Sequence, residues 1–259
     1  MSAIQSLPLL PAIDEDDLLL DPSDWNDDVA RLMAADLKTL GINCDCAPVL
    51  DLPVPGANEI IGDRAYGSSV GQIVALARAV CDGFIAGGVV PVIKHIPGHG
   101  RATADSHLAL PVVDTPHAEL SETDFAPFKA LNEMPAAMTA HVVFSSLDAE
   151  HPASISKSVT KTVIRGEINF DGLLMSDDLS MKALSGDMRI RAESVISAGS
   201  DLALHCNGVL DEMTAAAAGV PALTGKSLAR FETACVLAKT TQPFNRGRSE
   251  AALTRVLGS

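Results

Sequence analysis

Short apolar runs rich in β-branched residues alternate along this chain with longer stretches whose apolar positions recur every three to four residues. The run Gly88-Val89-Val90-Pro91-Val92-Ile93 carries no charge and reads as a strand buried on both faces. Other strand-like runs are 42–50, closing on Asp51, and those ending at Met138-Thr139-Ala140-His141, Leu174-Met175-Ser176-Asp177-Asp178 and Leu204-His205-Cys206-Asn207. Helical spacing predicts helices over about 23–40, 69–86, 121–131, 157–168 and 190–198. Ser23 is placed to cap the first and Gly41 to end it, while Gly87 and Gly88 stop the second. The Ala-rich run 214–218 and the Ala/Leu/Arg pattern after it read as helix.

Alternating β and α predicts an α/β fold with a parallel sheet and right-handed crossovers, so that all polar strand ends gather on one face. Five strands are legible, whereas a closed (β/α) barrel of the TIM type needs eight. The expectation is an incomplete barrel with about five of eight strand–helix units. It forms one domain over 1–259, with a lead and helix at 1–40 and a helical tail at 208–259. Such a sheet would expose unpaired edges and an apolar interior.

With 259 residues and 47% hydrophobic content, the chain is long enough for one full core. A net charge of −14 and a pI near 4.7 argue against a nucleic-acid partner. The five cysteines are scattered and odd in number; only Cys44 and Cys46 are close, and alternation sends both to one face. This fits a reduced, cytoplasmic protein. Residues 1–13 have no basic start and acidic residues follow at once, so neither a signal peptide nor a membrane span is expected.

The chemistry concentrates in two places. The loop after the central strand, Lys94-His95-Ile96-Pro97-Gly98-His99-Gly100-Arg101-Ala102-Thr103-Ala104-Asp105-Ser106-His107, holds three imidazoles, a carboxylate and two cations. Pro97, Gly98 and Gly100 exclude helix there, and ionisable groups at strand ends are how α/β proteins build sites. The second place is Asp177-Asp178, where an apolar strand runs directly into two carboxylates. A carboxylate so placed serves as a helix cap, a metal ligand or a nucleophile. Asp105 and His107, two residues apart, suit a carboxylate-oriented imidazole that donates a proton to a departing oxygen. A metal-dependent hydrolase using His95, His99, Asp105 and His107 is disfavoured by the cations Lys94 and Arg101 among the supposed ligands. No metal and no cofactor is therefore expected.

These segments give the chain a resemblance to the glycoside hydrolase family 3 β-N-acetylglucosaminidases of the cytosolic, peptidoglycan-recycling type, and most to their α-proteobacterial branch. It rests on Ile61-Gly62-Asp63-Arg64-Ala65-Tyr66-Gly67, on Lys94 through His107 continuing to Leu110-Pro111, on Met138-Thr139-Ala140-His141, on Asp171-Gly172 through Met181, and on His205-Cys206-Asn207. The resemblance implies Asp177 as nucleophile of a retaining exo-acting hydrolase, with His107 as acid/base held by Asp105. It implies Arg64, Lys94 and His95 as contacts to the sugar hydroxyls of a muropeptide. Asp178 is expected to cap the following helix and His141 to support the site without reacting. His99 is open between loop rigidity and the site, and His117, His151 and His205 are expected to be structural or on the surface. Family members carry further strand–helix units and an Asp-Gln-Glu-Gly-Gly segment ahead of the matched region, and this chain starts after that point, with 7–12 as a remnant of the junction. That departure leaves open a fragment or sugar-binding relative without activity, and a self-association or an upstream segment that completes the barrel.

Overall fold

The computed structural model describes residues 29–257, so the expected cap at Ser23 and the junction at 7–12 lie outside the described residues. Helix α1 (Arg31–Thr39) leads to strand β1 (Cys44–Asp45), a 3-10 turn (Gly62–Arg64), helix α2 (Val70–Ala86) and strand β2 (Val90–Ile96). There follow β3 (Val112–Val113), α3 (His117–Glu122), α4 (Ala126–Ala130), β4 (Ala136–Thr139), β5 (Val143–Phe144), a π-helical segment (Val159–Glu167) and β6 (Leu173–Asp178). The chain continues through α5 (Met188–Ala198), β7 (Leu202–Leu204), α6 (Leu210–Ala218), α7 (Gly225–Leu237) and α8 (Arg246–Leu257).

Five strands form one parallel sheet in the order β1-β2-β4-β6-β7, a half-barrel of the α/β type. Alternation along its strands sorts two layers. Ile93, Ala137 and Leu174 point to the helices, packing with Ile73 and Ala77 of α2, Phe128 of α4 and Ile164 of the π-helical segment. Val90, Val92, Ala136, Met138, Leu173 and Met175 point the other way, onto Ala234, Leu237 and Ala238 in and after α7. The central strands are thus buried on both faces, as their uninterrupted apolar runs require. The apolar interior expected to stand open is covered over this stretch by α7.

Three further expectations are corrected, and one strand pair has no counterpart among them. The strand 42–50 pairs regularly only at Cys44–Asp45. Beyond it the chain still runs beside β2, with Val92 N donating to Ala47 O (3.1 Å) and Leu50 N to Lys94 O (2.7 Å). Pro48 has no donor to give and lies on this edge, where the ladder tolerates it. Strand β2 extends through Ile96, because pairing with β4 carries it three residues past Ile93, so Lys94 and His95 belong to strand rather than loop. The helix 121–131 is two short helices, broken ahead of Pro127, whose ring cannot follow a preceding helical turn. The parallel pair β3–β5 was not expected at all; strands of two residues are too short to show a period.

Candidate active site

The carboxyl ends of β2, β4, β6 and β7, with the turn at Gly62–Arg64 and the loop 97–110, enclose a cavity of about 270 Å³. Arg64, Lys94, His95, His107 and Asp177 all line it, as do His99 and Ser106. Two of these follow from the pleat. Lys94 is two residues beyond Val92, and Asp177 two beyond Met175, so each side chain leaves the sheet on the face covered lower down by α7. His95 would by alternation point away. The register against β4 shifts between Lys94 and Ile96, and the irregularity brings the imidazole to the same cavity.

The anchor of the site is a residue read from sequence only as the end of a strand. Asp51 is completely buried. Its Oδ2 lies 2.6 Å from His95 Nδ1, and its Oδ1 accepts from His99 N at 2.6 Å and from His95 N at 3.2 Å. Burial pushes this carboxyl up, but the His95 imidazole, its hydrogen bonds and the nearby His99 outweigh that and hold it below the usual carboxylate range. With Nδ1 engaged by Asp51, His95 turns Nε2 toward Asp177 Oδ2, 4.0 Å away. That is too long for a hydrogen bond.

Asp177 is itself buried, and its Oδ1 accepts from Asp178 N at 2.8 Å. Burial lowers the affinity of the Lys94 ammonium for its proton, and Arg64 adds to this, while Cys46 and Asp177 oppose it. Arg64 is oriented by its own turn, Nη1 donating to Ile60 O at 2.9 Å. On the other wall His107 is half exposed, its Nδ1 2.8 Å from Asp105 Oδ1, which also accepts from His107 N at 2.8 Å. Burial would raise the Asp105 carboxyl; the bonds from the amide and imidazole of His107 together outweigh it and bring the carboxyl down. Asp105 does not line the cavity and meets it through His107.

The remaining histidines divide. His99 is buried against the cavity, held by Asp51 through its amide and facing Ser106 Oγ at 3.2 Å through Nε2. Burial lowers its basicity. His141 is also buried, and sits between Ser154 Oγ (2.7 Å) and the Asp178 carbonyl (3.2 Å), behind the site. His117 and His151 pair with Glu167 and Asp148 near the surface, and His205, its side chain mostly buried, meets Glu212 at 3.0 Å. Asp178 caps no helix: its Oδ1 accepts from Ser180 N (3.0 Å) and Cys206 N (3.1 Å), closing a turn. The next helix, α5, is capped by Asp187, which accepts from Ile190 N.

Cys46 and Cys206 also line the cavity, and all five cysteines are free. Among the described residues no group of three or more His, Cys, Asp or Glu side chains converges as metal ligands, and no helix is long and apolar enough to cross a membrane.

Asp177 and His107 thus line one pocket at the carboxyl ends of parallel strands. The model described as the glycosyl hydrolase family 3 N-terminal domain matches residues 20–234. The chain belongs to glycosyl hydrolase family 3. The beta-hexosaminidase of Bordetella parapertussis is 38% identical over 180 residues, which are 68% of this chain. The match takes in 50% of that protein, so the chain spans about half the length of this relative. Among solved family 3 structures, the β-N-acetylglucosaminidase of Paenibacillus sp. str. FPU-7 superposes with a TM-score of 0.77 at 27% identity, over 91% of this chain and 51% of that one. NagZ from Neisseria gonorrhoeae, in complex with N-trifluoroacetyl-D-glucosamine, gives 0.76 at 30% identity, over 94% of this chain and 71% of its own.

Proposed function

We propose that this chain is a retaining exo-β-N-acetylglucosaminidase of the cytoplasm that removes terminal N-acetylglucosamine from muropeptides whose next sugar is 1,6-anhydro-N-acetylmuramic acid. The observation that carries the reading is the shared cavity: His107 and Asp177, 70 positions apart in the chain, line one hollow of about 270 Å³. That volume lies just below the range of sites built for drug-sized ligands, and suits one sugar ring. The NagZ complex with an N-acylated glucosamine supports a ring of that kind.

In this reading the Asp177 carboxylate attacks the anomeric carbon as the bond to the leaving oxygen breaks. The electron pair goes to that oxygen, which takes the proton from His107, and a glycosyl-enzyme results. Water then gives a proton to His107 and displaces the Asp177 carboxylate from the sugar. Asp105 orients His107 and stabilises the imidazolium that is present before the first step and re-formed in the second. Arg64, Lys94 and His95 contact the hydroxyls of the same ring, the first two as donors only. Lys94 also places a positive charge beside Asp177.

Hydrolysis of 4-nitrophenyl N-acetyl-β-D-glucosaminide tests this. Asp177→Ala is expected to abolish turnover, and His107→Ala to lower it by about a hundredfold or more. A slow 5-fluoro glycosyl substrate should leave a mass adduct on Asp177. A folded chain that neither turns over nor accumulates the adduct sinks the proposal, and sugar binding by such a chain in calorimetry would make it a non-catalytic relative.

A further inference from the structure

The loop that carries Asp105 and His107 is packed at its start, through Ala102, and exposed at Thr103 and again from His107 to Leu110. At its start a side chain at Gly100 would stand 1.9 Å from Leu52 O, so the backbone there lies flat against a neighbour and has no freedom to shift. Arg101 is tied by Nε to Asp124 Oδ2 at 2.6 Å and by a second nitrogen to Glu119 at 2.9 Å. Beyond it Thr103, His107, Leu108 and Ala109 are exposed, Leu108 to 67%. Ser106 interrupts this. It is 3% exposed, between the two residues proposed to manage the proton. Its Oγ is 3.2 Å from His99 Nε2, and its carbonyl accepts from Ala183 N at 3.3 Å.

We infer that Ser106 is a positioning residue: its hydroxyl, latched to His99, sets where His107 stands over the cavity. The path is continuous. Asp51 fixes the His99 backbone at 2.6 Å, and the His99 ring meets Ser106. The same Asp51 fixes His95 beside Asp177. One buried carboxylate therefore serves both walls of the site, directly on the Asp177 side and through Ser106 on the His107 side. A half-exposed imidazole at the head of an exposed stretch has many placements, and the buried hydroxyl bond, with the Ala183 N–Ser106 O bond beside it, narrows them.

The kinetic part of the test rests on the proposed glycosidase reading. Ser106→Ala deletes only the hydroxyl oxygen, and Ser106→Thr restores it. Proton delivery matters when the leaving oxygen is basic and hardly at all when an activated aryl group departs unaided. Ser106→Ala is therefore expected to lose about tenfold in kcat/KM on a disaccharide N-acetylglucosaminide, the effect of one lost hydrogen bond. On the 2,4-dinitrophenyl glycoside the loss should be small, and Ser106→Thr should recover most of it on both. Equal losses on both substrates, or none, would overturn the inference. Amide hydrogen exchange needs no turnover and forms the second arm. Residues 103–109 should exchange faster in Ser106→Ala while β2 and β4 stay unchanged, and unaltered exchange in the loop also overturns the latch. If the wild-type chain is inactive, the proposed function fails by itself and the exchange result alone decides the latch. Should Ser106→Ala fold poorly, Ser106→Cys, nearly isosteric but a weak hydrogen-bonding group, replaces it in both arms.

Discussion

Asp51 shows how much one carboxylate can organise. Buried completely, it faces two backbone amides and one imidazole, and each oxygen is occupied. Removing a charge from such a place leaves donors without an acceptor, which costs more than the original bonds contributed net. Asp51→Asn keeps the shape, but its NH2 group must then face a donor. The variant should lose about 2 kcal/mol or more, read as a shift of the urea midpoint at pH 7. A midpoint within error of wild type would mean that Asp51 is a bystander and that His95 and His99 are placed by their backbone alone. Asp177, the proposed nucleophile, should respond differently. It makes one short bond to its neighbour's amide and otherwise faces a hollow, so Asp177→Asn should be far milder for stability than for turnover.

Elements with a complete local signal were legible in the sequence. Helix α2 begins where Ser69 caps it, the Oγ accepting from Gln72 N at 3.3 Å, and ends at Gly87. Helix α1 stops at Gly41, which takes the left-handed φ of +76° that its position demands. The strand end bearing Asp177 was legible for the same reason: an apolar run meeting charge is a local event. What could not be read depended on distant partners. Asp51 acquires its role from residues 44 and 48 positions away, and the extra length of β2 from its pairing with β4. The junction of the π-helical segment with α3 is another such place, and it carries a pH dependence. Burial would raise the Glu167 carboxyl, but Lys129 at 2.8 Å, the Ser121 hydroxyl and His117 at 2.6 Å bring it down to about 2. A carboxylate depressed in the folded state stabilises fully above its unfolded value, about 4.3. That contribution is lost as the pH falls from there through about 2. Glu167→Gln should therefore melt below wild type at pH 7, and the gap between the two melting temperatures should close on titration from pH 5 toward pH 2. A gap that stays constant would show that the bridge has no linked proton.

Across the whole molecule the half-barrel poses a problem that α7 answers. Five parallel strands present two apolar faces, and the helices between them cover only one. On the other face Val90, Val92, Leu173 and Met175 would meet water if nothing lay on them. Helix α7 lies there with two small side chains inward, Ala234 and, just past its end, Ala238: they are 6% and 8% exposed, while Val236 between them is 62% exposed. Small side chains let the helix backbone approach the sheet, and the same cluster includes Met138, which also lines the cavity above. The seating of α7 therefore bears on the floor of the site as well as on the fold. Enlarging the contact should separate this role from that of an ordinary surface helix. Ala234→Leu forces extra volume between α7 and β6 and should cost about 1–3 kcal/mol, the usual penalty for overpacking. Val236→Ser, two residues along on the outer side, should change stability by about 0.5 kcal/mol or less. If overpacking lifts α7, the disturbance reaches Met138, and Ala234→Leu should also weaken binding of N-acetylglucosamine in calorimetry, while Val236→Ser leaves it alone. Equal urea midpoints for the two variants would mean that α7 does not bear on the sheet, and that the apolar face is satisfied in some other way.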